Sequence, residues 1–139
     1  QTYKAEKIVK KNSKAYWDIK KEKTKNQYEL FSKLDKFDLD DYKKLYQYSK
    51  KIKIDFLSTP FDLESVDFLK SLVPAFKISS SDINNFPLIR KIADTKKPVI
   101  LSTGASNIKE IKRAVNILSK NTKKIVIKVQ FQQVYALYK

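Results

Sequence analysis

The sequence predicts an α/β fold built on a parallel sheet, and three observations point to it. From about residue 54 onward a short apolar run is repeatedly followed by a segment of helical period, the alternation of βα units. The runs are short and partly β-branched, as buried parallel strands tend to be. Three of the four close on hydroxyl residues that lead into the next helix: Ser58-Thr59, Ser79-Ser80-Ser81 and Ser102-Thr103. About four βα units can be counted, whereas a closed (β/α)8 barrel needs eight strands and about 250 residues. The expected architecture is therefore a partial barrel.

In chain order, the first 27 residues are strongly basic and lack a clean period, so they read as an exposed connection anchored to the body by Trp17. Residues 38–51 (DLDDYKKLYQYSKK) carry acids in the first turn and lysines in the last, the distribution a helix dipole favours. The four predicted strands are 54–58 (IDFLS), 75–79 (AFKIS), 98–102 (PVILS) and 124–129 (KIVIKV). Between them, residues 62–72 place Leu63, Val66, Leu69 and Leu72 on one helical stripe behind an Asp62 cap. Residues 106–120 do the same with Ile108, Ile111, Val115 and Leu118 behind Ser106 or Asn107.

Composition narrows the chemistry. A chain of 139 residues with 42% hydrophobic content suffices for one modest core. It has no cysteine and no histidine, which removes thiolate chemistry, the commonest general base and the commonest metal ligand. Carboxylates, lysines, hydroxyls and backbone groups remain. No apolar run approaches the roughly 20 residues needed to cross a bilayer, and the amino terminus has no signal-peptide core, so a cytoplasmic location is expected. The net charge of +15 raises nucleic acid as a partner. The cations are almost all lysines scattered along the chain, with Arg90 and Arg113 the only arginines, which favours a solvated basic surface over a nucleic-acid site.

Ligands of parallel α/β folds gather at the carboxyl ends of the strands, so the run ends are the candidate site. Lys77 lies two residues before Ser79, on the same strand face, and a lysine inside an apolar run is costly unless it has a partner. An ammonium with hydroxyls above it makes a cradle for phosphate or carboxylate. The alternative is that each serine merely caps the following helix. Gly104, the only glycine, stands between a predicted strand and helix, where a positive φ or close backbone approach to a ligand would require it. No dinucleotide, P-loop, HExxH or CxxC pattern is present.

QTYKAE (1–6), FLSTPFDLESVDFL (56–69), PAFKISSSDINNFPLI (74–89) and KPVILSTGAS (97–106), taken in order and spacing, resemble consecutive motifs of the N-acetylneuraminate (sialic acid) synthase family, with its legionaminate and spore-coat relatives. The resemblance implies a TIM barrel followed by a small antifreeze-like domain, acting as a homodimer. It implies condensation of phosphoenolpyruvate with an N-acetylated amino sugar, commonly N-acetylmannosamine, to a nine-carbon sialic acid and phosphate. A divalent metal, manganese or magnesium, polarises the sugar aldehyde in that family. Carried over position by position, Lys77, Ser80 and Ser102 match phosphoenolpyruvate-binding residues, and Asp82 matches an acidic position, often glutamate, that faces the sugar and handles a proton.

The departures also carry information. Ser81 stands where the family usually has glycine, and the glycine that commonly precedes the position of Val73 is missing. Residues 127–139, Tyr135 included, do not follow the family's next strand, and no histidine exists to serve as the family's metal ligands. These gaps imply that residues 1–139 are a fragment of the synthase barrel domain, without the antifreeze-like domain and inactive alone. Two other readings stand beside it: a legionaminate or pseudaminate synthase relative, and a non-catalytic basic binding protein.

Overall fold

The computed structural model describes residues 1–104 and 106–129. Helices α1 (Ala5–Ile8), α2 (Gln27–Leu34), α3 (Leu39–Lys51) and α4 (Leu63–Leu69) precede strand β1 (Phe76–Ile78). A 3-10 turn over Ser80–Asp82, helix α5 (Phe86–Asp94), strand β2 (Val99–Ser102), helix α6 (Ile108–Ser119) and strand β3 (Ile125–Lys128) follow. The three strands are parallel in the order β1-β2-β3. In register, Lys77 lies opposite Ile100 and Ile100 opposite Val126.

The parallel βα pattern of a partial barrel is present, with three strands among the described residues where four were expected. The run 54–58 is not a strand. It follows Lys53, whose φ is +59°, and pairing starts only beyond it, through a single parallel bridge between Thr2 and Pro60 made by Thr2 N to Thr59 O and Phe61 N to Thr2 O. The amino-terminal partner offers few residues before α1 begins at Ala5, so the ladder does not propagate.

Caps explain the helix starts. Asp38 and Asn107 form complete capping boxes with Asp41 and Glu110, and Asp62 accepts from Ser65 N at 2.7 Å. Helix α5, absent from the sequence-based expectation, starts at the Asn85 cap with Pro87 in its first turn, a position where the missing N–H costs nothing. Its Leu88, Ile89, Ile92 and Ala93 enter the core with Val66 and Leu69 of α4, Phe76 and Ile78 of β1, and Ala114 and Leu118 of α6. The two predicted stripes hold in their middles, while their first residues, Leu63 (46%) and Ile108 (66%), stay exposed in the opening turns.

Burial is lopsided. Among the described residues, every buried hydrophobic residue except Ala5 lies between Val66 and Leu118. The amino-terminal helices are held instead by aromatic edges, Tyr42 against Phe68 and Tyr46 against Phe56, and by Asp35, which accepts from Ala5 N. Trp17 does not anchor the basic segment to the body as expected. Its indole N–H donates to Thr24 O within the segment and its ring packs edge-on to Tyr16, because the nearest acceptor lies in a loop closed by the Lys14–Asn26 bridge. No helix among the described residues is long and apolar enough to cross a membrane.

Candidate functional site

Alternation along β1 sends Phe76 and Ile78 into the helix-covered core and leaves Lys77 on the opposite, inner face of the sheet. Lys77 is half-buried, and its ammonium has no ion-pair or hydrogen-bond partner among the described residues.

The three hydroxyl clusters at the run ends behave differently. Ser58 shares a buried 2.7 Å hydrogen bond with Thr2, so its role is to hold the amino-terminal run in place. Ser79 and Ser81 share a 2.9 Å bond, and Ser81 donates to Asp82 Oδ2 at 3.4 Å. Ser80 sits half-buried at the start of the 3-10 turn. Ser102, at the carboxyl end of β2, is 3% exposed, yet its hydroxyl has no hydrogen-bond partner among the described residues, and the buried hydroxyl of Ser106 shares that condition. A buried unpaired hydroxyl costs about 1–3 kcal/mol unless something satisfies it. Thr122, ahead of β3 at the other end of the sheet, also has a buried unpaired hydroxyl among the described residues.

Asp82 faces a cleft of about 330 Å³ whose other wall is made by Tyr3, Phe31 and Phe61. Tyr3 meets both phenyl rings edge-on at 5.8 and 6.3 Å. Lys7 stands at the rim, held by Glu64 at 2.8 Å. Burial pushes the Asp82 carboxyl above its ordinary value, opposed by hydrogen bonds from Asn85 and Ser81. The structure thus places Ser80 and Asp82 in one turn directly after β1, with Lys77 on β1 and Ser102 on the neighbouring strand. The cleft wall itself includes Asp82 but not Lys77, Ser80 or Ser102.

Sequence reasoning missed Asn85, which donates to Asp82 Oδ1 at 3.2 Å, and the aromatic wall. An asparagine two residues before a proline and an apolar period was the available signal for the first. Gly104 does not adopt positive φ, so the turn there does not require a glycine. Positive φ occurs at Lys53 and Lys96 instead. Among the described residues no group of three or more His, Cys, Asp or Glu side chains is placed to hold a metal ion. Ala105 and residues 130–139, with Tyr135, lie outside the described residues.

These features define a β/α-barrel type of protein whose polar groups collect at the carboxyl ends of its parallel strands. The chain belongs to the NeuB family, whose model matches residues 1–136. It is 44% identical to an N,N'-diacetyllegionaminic acid synthase of Campylobacter jejuni over 87% of this chain and 37% of that protein. It is 36% identical to an N-acetylneuraminate-9-phosphate synthase of Drosophila melanogaster over 63% of this chain and 24% of that protein. The structure of an N-acetylneuraminic acid synthetase from Leptospira borgpetersenii, solved with citrate, superposes with a TM-score of 0.70 at 30% identity, covering 80% of this chain and 39% of that one. The chain therefore spans well under half the length of these relatives.

Proposed function

We propose that this chain supplies the phosphoenolpyruvate-binding part of a sialic-acid-synthase-type transferase, condensing phosphoenolpyruvate with an N-acetylated amino sugar. The observation that carries the reading is the pairing of an unpartnered, half-buried Lys77 with the buried, unsatisfied Ser102 hydroxyl on adjacent strands. A ligand that is both anionic and rich in acceptor oxygens answers both deficits at once. Phosphoenolpyruvate, with a phosphate and a carboxylate, is such a ligand, and membership in the NeuB family supports the choice.

In this reading the Lys77 ammonium supplies the charge that draws the anion to the inner face of the sheet. The hydroxyls of Ser80 and Ser102 donate to its oxygens and fix its orientation. The C2=C3 π electrons of phosphoenolpyruvate form the bond from C3 to the aldehyde carbon of the sugar, whose C=O π bond opens and whose oxygen takes up a proton, leaving a cationic C2. Water adds at C2 and loses its protons to the site and solvent as C2 becomes a ketone, and phosphate leaves with the electron pair of its C–O bond. Asp82 faces the sugar side and exchanges the proton. Its raised pKa brings it nearer to neutral pH than an exposed aspartate, which suits proton transfer. A divalent ion, if used, needs donors other than the described residues.

Titration calorimetry with phosphoenolpyruvate tests the assignment. Lys77→Ala is expected to abolish binding and Ser102→Ala to weaken it by about tenfold or more, as removal of a hydrogen bond to a charged ligand does. Unchanged affinity in Lys77→Ala overturns the reading. A second reading concerns the acceptor alone. The identity to the Campylobacter protein, spread over 87% of this chain, favours a di-N-acetylated acceptor of the legionaminate type over N-acetylmannosamine. Product analysis with the two sugars in parallel decides between them.

A further inference from the structure

The turn after β1 contains two adjacent asparagines that face different ways. Asn84 Nδ2 donates to Glu110 Oε1 at 2.8 Å and ties the turn to the first turn of α6. Asn85 uses both ends of its amide. Its Oδ1 accepts from Leu88 N at 3.4 Å and caps α5, while its Nδ2 donates to Asp82 Oδ1 at 3.2 Å. The main chain closes the same loop, because Asn85 N donates to Asp82 O at 2.9 Å. An amide that must present its oxygen to a helix N–H has only its NH2 left for the carboxylate.

We propose that Asn85 is the positioning residue for Asp82, coupling the carboxylate to a helix whose inner face is fully buried. Helix α5 is held by Leu88, Ile89, Ile92 and Ala93, none more than 2% exposed, so its amino terminus is a fixed point. Through Asn85 that fixed point sets where Asp82 Oδ1 sits. The other oxygen is reached by the Ser81 hydroxyl, which is itself bonded to Ser79. The carboxylate is therefore gripped on both oxygens and cannot rotate freely as it meets a substrate. The inference rests on the reading that Asp82 works at the sugar side, and it names the device that holds Asp82 there. The other charged side chain lining the same cleft is Lys7, already paired with Glu64.

The test is an NMR titration of the full chain carrying carboxyl-13C aspartate, with the Asp82 signal assigned through Asp82→Asn. Asn85→Ala removes a donor from the ionised form, so Asp82 is expected to titrate at higher pH than in the unsubstituted chain. Asn85→Asp keeps an acceptor for Leu88 N and so keeps α5 capped, but it replaces the donor with a second carboxylate, and the upward shift is expected to be larger. Asn84→Ala breaks only the tie to Glu110 and is expected to leave the Asp82 titration where it was. If Asn85→Ala does not fold, Asn85→Asp carries the test alone. An Asp82 titration that is unmoved in Asn85→Asp, with the backbone spectrum retained, overturns the proposal. Whether Asp82 serves the reaction at all is read separately: Asp82→Asn with full condensation activity would sink that reading while leaving the Asn85 result standing.

Discussion

Lys53 ends helix α3 in a conformation that a lysine dislikes, and replacing it should stabilise the protein. Its φ is +59°, in the left-handed region. The hydrogen bonds around it are those of a Schellman turn, with Ile54 N donating to Ser49 O at 3.0 Å and Lys53 N to Lys50 O at 3.2 Å. A side chain with a Cβ pays about 1–2 kcal/mol for this region. Glycine pays nothing there but gives back roughly 0.4–1 kcal/mol through the greater freedom of the unfolded chain. The net expectation for Lys53→Gly is a gain of about 0.5–1 kcal/mol. For 139 residues the unfolding entropy is about 0.29 kcal/mol/K. The melting temperature should therefore rise by roughly 2–3 °C in differential scanning calorimetry. Lys53→Ala keeps the Cβ and should show no gain of that size. Gln47→Gly, in the exposed middle of the same helix, should lose about 1 kcal/mol. A Lys53→Gly protein that melts at or below the parent would refute the argument, because the positive φ would then carry no cost to relieve.

Two further expectations concern the core and the site. Ile89→Ala opens a cavity at a fully buried position and should cost about 2–5 kcal/mol by urea denaturation, whereas Ile108→Ala, on a side chain 66% exposed, should stay within about 0.5 kcal/mol. For Asp82, burial raises the folded pKa above the value of 3.8 it has when unfolded, so the native state holds the extra proton between those two values. Stability attached to that proton is fully present below 3.8 and is lost as pH rises through the folded value. The stability difference between Asp82→Asn and the parent should therefore grow across that window and level off near neutrality. A difference that is flat from pH 3 to pH 7, or that shrinks, contradicts the assigned cause.

Much of the α-helical pattern was legible because it is written in short-range chemistry. Asp62 and Asn107 both look like caps and act as caps, and Asp38, read as a first-turn acid, caps its helix as well. Lys77 was legible for a different reason: a charge between two core residues has few explanations. Helix α5 was hidden because its opening residues sit directly behind the serine cluster, and its period begins only at Leu88. The run 54–58 has the composition of a strand, yet strandhood depends on a neighbour with free N–H and C=O groups, and its partner offers a single bridge. The Asp82–Asn85 contact was out of reach for the same reason, since a side-chain amide shows its two ends only when both partners are placed.

The one-sided distribution of buried residues has a kinetic meaning. Between Lys10 and Lys25 the chain closes on itself through a bridge and a tryptophan contact, with only Thr24 buried, while Val66 to Leu118 contains nearly the whole core. Opening the first region exposes little apolar surface, so its amides should exchange with solvent through local fluctuation, whereas those of β1, β2 and α5 should wait for cooperative opening of the core. The loop is also dense in lysines, which makes it the natural first cut for trypsin under native conditions. A nick there need not release the carboxyl-terminal piece. Lys77, Asp82 and Ser102 all lie within the segment that contains nearly the whole core, so the candidate site belongs to the part of the molecule that opens last.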